Sequence, residues 1–182
     1  MLSVKLPVLS KAPSALHAVD GPCGPLAAWG VLRHFHKRTS AARILKMCRH
    51  NDQHGACTIA LSVALREHGL WVEFYTEPDP APQPTEVECY LRAAELGIWV
   101  SASPELETIL AFTGTSCVPI IFYDTDHGSG HFSPITGTDD DGQVLLPYSD
   151  EKRMPIAKLH QQWSAPGTCR QCILVRPHYQ HF

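Results

Sequence analysis

The stretch DGPCGPLAAW, residues 20–29, places a cysteine between a turn rich in glycine and proline and the start of an apolar helix. Apolar residues recur after it at three- and four-residue spacing, which predicts a helix over residues 23–36 with one buried face. A helix N-terminus carries a partial positive charge and unpaired N–H groups, and both stabilise a thiolate. We therefore expect Cys23 to be a nucleophile whose pKa lies below the ~8.5 of a free thiol.

A second stretch, GHFSPITG at residues 130–137, supplies the group that such a nucleophile requires. Nucleophilic catalysis by cysteine needs a base that later acts as an acid, and histidine titrates near neutral pH. His131 opens this strand-like stretch about 100 residues after Cys23. Together the two residues predict a catalytic pair, in which the backbone N–H of Cys23 donates to the developing oxyanion.

Composition sets the broad class of the protein. A chain of 182 residues with 44% hydrophobic content fits one domain with an ordinary core. The formal net charge of -3 includes no basic block, which argues against nucleic acid as a partner. No apolar run approaches the ~18 residues that cross a bilayer, and residues 1–25 do not resemble a signal peptide. We expect no membrane segment and a cytoplasmic location, unless export uses a signal that the sequence does not reveal.

The seven cysteines are scattered, and their number is odd. Without a secretion signal they indicate reduced thiols rather than a disulfide framework. Cys169 and Cys172 form a lone C-x-x-C, and a structural zinc would need two more ligands, for which His178 and His181 are available. Their spacing is too tight for a zinc finger, so we predict a pair of thiols at a strand edge, with no metal and no cofactor.

Hydrophobic periodicity predicts helices first and strands afterwards. Residues 1–20 are predicted to be an extended arm, because apolar residues alternate from Leu2 onwards and prolines stand at positions 7 and 13. Ser40 or Thr39 is expected to cap the second helix and Ser103 a later one. Helices are predicted over residues 23–36, 40–47, 55–68, 86–96, 105–112 and 156–163, and strands over 71–75, 117–123, 131–136, 143–146 and 172–175.

Four prolines between positions 78 and 84 indicate a stiff linker over residues 77–85. It separates a helical half, about 17–76, from a mainly β half, about 86–177. Helices that precede antiparallel strands are typical of an α+β fold, with the helical half packed against a C-terminal antiparallel sheet.

The predicted hairpin after His131 indicates a third catalytic residue. The turn signal DDDG at residues 139–142 separates the strand of His131 from the next strand. If Asp140 and Asp141 are central to the turn, His131 faces Asp150; if the centre is one residue later, it faces Lys152. Asp150 is within reach in either register, and we expect it to orient the imidazole.

These motifs resemble papain-like cysteine peptidases, in particular the bacterial double-glycine leader peptidases that process bacteriocin precursors, and their relatives the phytochelatin synthases. The Cys23-Gly24-Pro25 start resembles both groups. GACT at residues 55–58, the helix after it and the segment 159–163 resemble leader peptidases, whereas GHFSPI at 130–135 is similar to the histidine motif of phytochelatin synthases. The resemblance covers nearly the whole chain and implies one papain-like domain over residues 1–182.

Two positions depart from the pattern of that family. The family places a glutamine six residues before the cysteine as an oxyanion donor, and here that residue is His17, whose N–H is able to replace it. The family's orienting Asp or Asn falls on Pro147, for which Asp150 is a shifted substitute.

The resemblance implies a cysteine-dependent peptidase or amide hydrolase that acts on a peptide or protein. Cleavage is favoured over acyl transfer, because the chain shows no region for a second substrate. It also lacks the phosphate-binding motif of ATP-hydrolysing transporters, so we expect it to act alone or with a separate transporter. The alternatives are a catalytically impaired peptide-binding module and a bacterial toxin or effector with an immunity partner.

Overall fold

The computed structural model describes residues 4–178, so Leu2 of the predicted arm and His181 of the possible metal ligands lie outside the described residues. Seven α-helices occur in this range: α1 (Ser14–His17), α2 (Cys23–His34), α3 (Ala41–Met47), α4 (Thr58–Glu67), α5 (Pro84–Glu95), α6 (Leu106–Phe112) and α7 (Ile156–Trp163). Seven strands occur from residue 70 onwards: β1 (Leu70–Tyr75), β2 (Trp99–Ser101), β3 (Val118–Asp124), β4 (Gly130–Pro134), β5 (Gln143–Leu145), β6 (Arg153–Pro155) and β7 (Cys172–Pro177).

Five strands form the main sheet, in the order β2-β1-β7-β3-β4. Its pairs are antiparallel except for β1 and β2 at one edge, which run parallel. Strands β5 and β6 form a separate antiparallel pair. Because β1 belongs to the helical part of the chain, that part contributes a strand to the sheet against which it packs.

The sheet separates two hydrophobic cores. Successive side chains of a strand point to opposite faces. Accordingly, Ile120 on β3 belongs to the core shared with α2, α3 and α4, whereas Ile121 belongs to the core beneath α6 and α7. Ile173 and Leu174 on β7 divide in the same way. This arrangement confirms the predicted α+β fold.

The N-terminal segment differs from the extended arm that was predicted. It contains a 3-10 turn at Leu9–Lys11 and the short helix α1, for which Pro13 is the N-cap. Proline lacks an N–H, but the first turn of a helix leaves its N–H groups unpaired in any case. Pro13 therefore limits where α1 begins without preventing it.

The predicted linker also ends earlier than expected. Helix α5 begins at Pro84, and Gln83 and Glu86 form a capping box across its first turn. Proline is favoured at the first helical position, so the last of the four prolines belongs to the helix.

Candidate active site

Cys23 is the first residue of α2, as the sequence predicted. Its N-cap is Pro22, which offers no side-chain acceptor to the first-turn N–H groups. A Cβ at Gly24 would lie 3.3 Å from Ala56 Cβ and 3.4 Å from Phe132 Cδ2, so the glycine allows α2 to approach both β4 and the loop before α4 closely. The cysteine is thus held between the start of a helix and the strand that carries His131.

The backbone N–H groups of Phe132, Gly24 and Cys23 itself lie near the Cys23 sulfur and favour its thiolate form. These N–H groups lower the pKa of the thiol, but burial raises it by more, so the net shift is upward. The expected depression of the Cys23 pKa is therefore wrong. The sequence shows the helix N-terminus but not the strand that covers the thiol.

His131 lies on β4, opposite Tyr123 of β3, with the two rings edge to face at a centroid distance of 5.6 Å. Its Nε2–H donates to the backbone carbonyl of Tyr148 at 3.1 Å. A neutral imidazole carries one hydrogen, so this bond leaves the lone pair on Nδ1. Burial lowers the pKa of His131, which outweighs the opposing effects of the Tyr148 carbonyl and the Asp150 carboxylate.

Asp150 lies close enough to His131 to act through its charge, but its side chain is exposed. The hydrogen bond that Asp150 was expected to accept is accepted by the Tyr148 carbonyl instead. Thr138 pairs with Val144, a register between the two that were weighed, and Asp150 lines the same cavity as His131. Backbone bonds from Thr136 N to Leu145 O and from Leu145 N to Gly137 O continue this hairpin, and β5 also pairs with β6.

His17 ends α1 with an exposed side chain, and its Nε2–H donates to the Leu9 carbonyl at 3.1 Å. In the neutral ring the remaining nitrogen has no hydrogen to donate. The contact thus engages the N–H that was expected to replace the glutamine as oxyanion donor.

Two cavities adjoin β4, one at Phe132 and one at His131, and Cys23 lines neither of them. One of about 320 Å³ is lined by Phe132, Ala56 and Cys57, with Cys169 and Gln171 on its far wall. The other, of about 310 Å³, is lined by the ring of His131 together with Tyr123, Asp150, Glu151 and Asp126. His131 thus lines one cavity and Phe132 lines the other.

The C-x-x-C pair divides between two environments. Cys172 is fully buried at the start of β7, whereas Cys169 is half-buried in the cavity beside Cys57. His178 stacks on Trp71 at a centroid distance of 6.1 Å. Within residues 4–178, no three His, Cys, Asp or Glu side chains are grouped so that they could hold a metal ion.

Helices over sheet, a cysteine at the start of α2 and a histidine on β4 place the chain in the papain-like α+β fold. Among solved structures it resembles the peptidase domain of Streptococcus ComA, a bi-functional ABC transporter involved in a quorum-sensing pathway, with a TM-score of 0.56. The match covers 96% of this chain and 98% of that chain at 14% sequence identity, so it concerns the fold. No family model and no curated protein matches the sequence. No helix within residues 4–178 has both the length and the apolar character needed to cross a membrane.

Sequence reasoning missed Tyr148 as the partner of His131. A backbone carbonyl has no residue-specific signature, so a search for Asp or Asn passes over it. The available signal was position: Tyr148 follows Pro147, where the family's pattern places its orienting residue.

Proposed function

We propose that this protein is a cysteine-dependent peptidase or amide hydrolase that acts on a peptide substrate, with Cys23 as nucleophile and His131 as general base and acid. The observation that carries the proposal is the hydrogen bond from His131 Nε2 to the Tyr148 carbonyl. It leaves Nδ1 unprotonated on the strand whose next residue, Phe132, presents its backbone N–H near the Cys23 sulfur and lowers the pKa of that thiol. A nucleophile, a base and an orienting group for the base are the parts that such chemistry requires.

In the first half of the proposed reaction, His131 Nδ1 takes the thiol proton as the Cys23 sulfur attacks the substrate carbonyl. The backbone N–H of Cys23, at the start of α2, donates to the developing oxyanion. The imidazolium then gives its proton to the leaving nitrogen, and the C–N bond breaks to leave a thioester.

In the second half, His131 takes a proton from water, and the hydroxide attacks the thioester. The C–S bond breaks, the acid is released, and the thiol regains its proton from His131. The Tyr148 carbonyl stabilises the imidazolium in both halves because it accepts from Nε2–H throughout.

The leaving-group part of the substrate must lie next to the imidazole that protonates it. We therefore assign it to the cavity that His131 lines and the acyl part to the cavity beside Phe132. Polar and apolar side chains line both cavities, which suits a peptide chain.

The experiment is to incubate the full chain with a complex peptide mixture and to identify new termini by mass spectrometry. We expect cleavage that disappears in Cys23→Ser and falls by at least ~10²-fold in His131→Ala. Cys48→Ala is the control, because it removes a thiol that lines neither cavity.

Cleavage that survives in Cys23→Ser would contradict the proposal. Wild-type protein that binds peptides but cleaves none would favour the peptide-binding alternative.

A further inference from the structure

One residue, Tyr148, connects the N-terminal segment to the proposed catalytic histidine. Its hydroxyl donates to the Pro7 carbonyl at 2.7 Å, and its backbone carbonyl accepts from His131 Nε2 at 3.1 Å. The residue is only 6% exposed. The side chain and the backbone of Tyr148 therefore serve two different parts of the molecule.

Helix α2 accommodates the Tyr148 ring at Gly30. A Cβ on Gly30 would lie 2.2 Å from the Tyr148 hydroxyl oxygen and 2.4 Å from Tyr148 Cε2. These distances are too short for any side chain, so only glycine fits at position 30 while the ring is in this place. Gly30 stands seven residues after Cys23, or about 10 Å along the helix axis. The ring thus rests on the same rigid element that carries the nucleophile.

The next residue anchors the same loop from the other side. Ser149 Oγ accepts from the Tyr123 hydroxyl at 2.6 Å, and the Tyr123 ring packs edge to face against His131. Backbone bonds from Leu146 N to Lys152 O, at 2.9 Å, and from Ser149 N to Leu146 O, at 3.1 Å, close the loop. With both flanks held, the Tyr148 carbonyl has a defined position relative to the imidazole.

The N-terminal segment has further attachments of its own. Val4 N donates to Thr136 O at 2.8 Å, just beyond β4. The His34 ring, on the last turn of α2, contacts the Lys5 carbonyl at 3.3 Å and the Thr115 carbonyl at 3.0 Å. The Pro7 carbonyl that receives the Tyr148 hydroxyl therefore lies on a segment tied to both the helix and the strand of the proposed pair.

We propose that Tyr148 is a positioning residue for His131. Its ring against Gly30 and its hydroxyl on Pro7 fix the place of its own carbonyl, and this carbonyl fixes the tautomer and the ring orientation of the base. The inference rests on the proposed function and extends it, since it makes Gly30 and the N-terminal segment determinants of catalytic geometry.

Two variants test the proposal by peptide cleavage. Gly30→Ala pushes the ring away, and we expect kcat to fall about 10- to 100-fold with KM nearly unchanged, because a small displacement of a catalytic base is costly. Tyr148→Phe loses only the bond to Pro7, and we expect a fall of about three- to tenfold.

Matched controls make the same chemical changes elsewhere. Gly114→Ala adds a methyl group where no atom lies within 4 Å. Tyr75→Phe removes a hydroxyl that donates to Glu73 at 2.9 Å on β1, a strand separated from β4 by β7 and β3. Both controls should keep kcat within about twofold of wild type.

The second measurement does not depend on cleavage. In ¹⁵N-labelled protein, the His131 Nε2–H resonance should show slow exchange in wild type and both controls, and should broaden or disappear in Gly30→Ala and weaken in Tyr148→Phe. An overall loss of fold would instead change all histidine signals together.

The outcomes separate the two proposals. If wild type cleaves peptides but both test variants match it in kcat and in the His131 spectrum, the positioning role is refuted and the peptidase assignment stands. If wild type cleaves nothing, the peptidase assignment fails, while the histidine spectra still decide whether Tyr148 controls the imidazole.

Discussion

At the residue level, the resting protonation state follows from burial. Burial raises the pKa of Cys23 and lowers the pKa of His131, so both groups favour their neutral forms. In the proposed reaction the pair rests as a thiol and an imidazole, and proton transfer accompanies attack on the substrate. The helix N-terminus contributes through the N–H groups of Cys23 and Gly24, which stabilise the thiolate once it forms.

This state predicts the pH dependence of the proposed reaction. The active form has a protonated thiol and a neutral imidazole. Because the pKa of His131 is lowered, its imidazolium form loses its proton at a lower pH than free histidine does. Because the pKa of Cys23 is raised, the thiol keeps its proton to a higher pH than free cysteine does. We expect kcat/KM against pH to be a bell with an acid limb below the ~6.5 of free histidine and an alkaline limb above the ~8.5 of free cysteine. Initial-rate measurements across pH check both limbs. An acid limb above that of free histidine would show that His131 is not buried as described.

Asp150 is the second test at this level. Its exposed carboxylate raises the pKa of His131 through charge alone, since the hydrogen bond belongs to Tyr148. Asp150→Asn should therefore change kcat by less than about fivefold and move the acid limb to lower pH, and added salt should reduce that displacement. Asp140→Asn, an exposed change in the turn, is the control. A loss of 10²-fold or more in Asp150→Asn would instead mean that its carboxylate orients the imidazole directly.

At the level of elements, two serines show which helix signals are readable from sequence. Ser40 caps α3 as predicted, with its Oγ accepting from Arg43 N at 3.2 Å. Ser103, also predicted as a cap, instead donates its hydroxyl to the Arg170 carbonyl at 2.6 Å, and α6 begins later with Glu105 as its N-cap. The cap at Ser40 depends on a residue three positions away, whereas Ser103 donates to a residue 67 positions away.

Ser40→Ala should lower the free energy of unfolding by about 1 kcal/mol, because the Arg43 N–H loses its acceptor at the start of α3. Urea denaturation followed by circular dichroism measures the change. Ser40→Asp keeps an acceptor, places a negative charge at the helix N-terminus and should restore most of the loss. Equal stability of wild type and Ser40→Ala would mean that the cap contributes nothing.

At the level of the whole molecule, local sequence patterns predicted most helices and strands. The geometry of the candidate site depends instead on contacts between residues that are far apart in the sequence. Periodicity located α2, α7 and the longer strands, and it placed Cys23 and His131 on the right elements. It missed the strands β2 and β6, which form where a partner strand pairs with them. The same limit hid the Tyr148 carbonyl, since its role depends on where a loop returns to β4.

The contribution of β1 to the sheet bears on how the chain unfolds. β1 lies between β2 and β7, so the sheet is completed by strands from both the predicted helical half and the predicted β half. A sheet assembled in this way has no boundary along which the two halves separate with their cores intact. We therefore propose that residues 4–178 unfold as one cooperative unit.

Two buried thiols report on the two parts of the chain separately. Cys48 follows α3, Cys172 begins β7, and neither is exposed. Burial also raises the pKa of Cys48 to about 12, so it reacts only after unfolding. Brief alkylation at increasing urea, read by mass spectrometry, should give the same midpoint for both, whereas half-exposed Cys169 reacts without urea. A lower midpoint for Cys48 would show that the helices leave the sheet first, because labelling then records opening of one part while β7 stays protected by its neighbours on both sides.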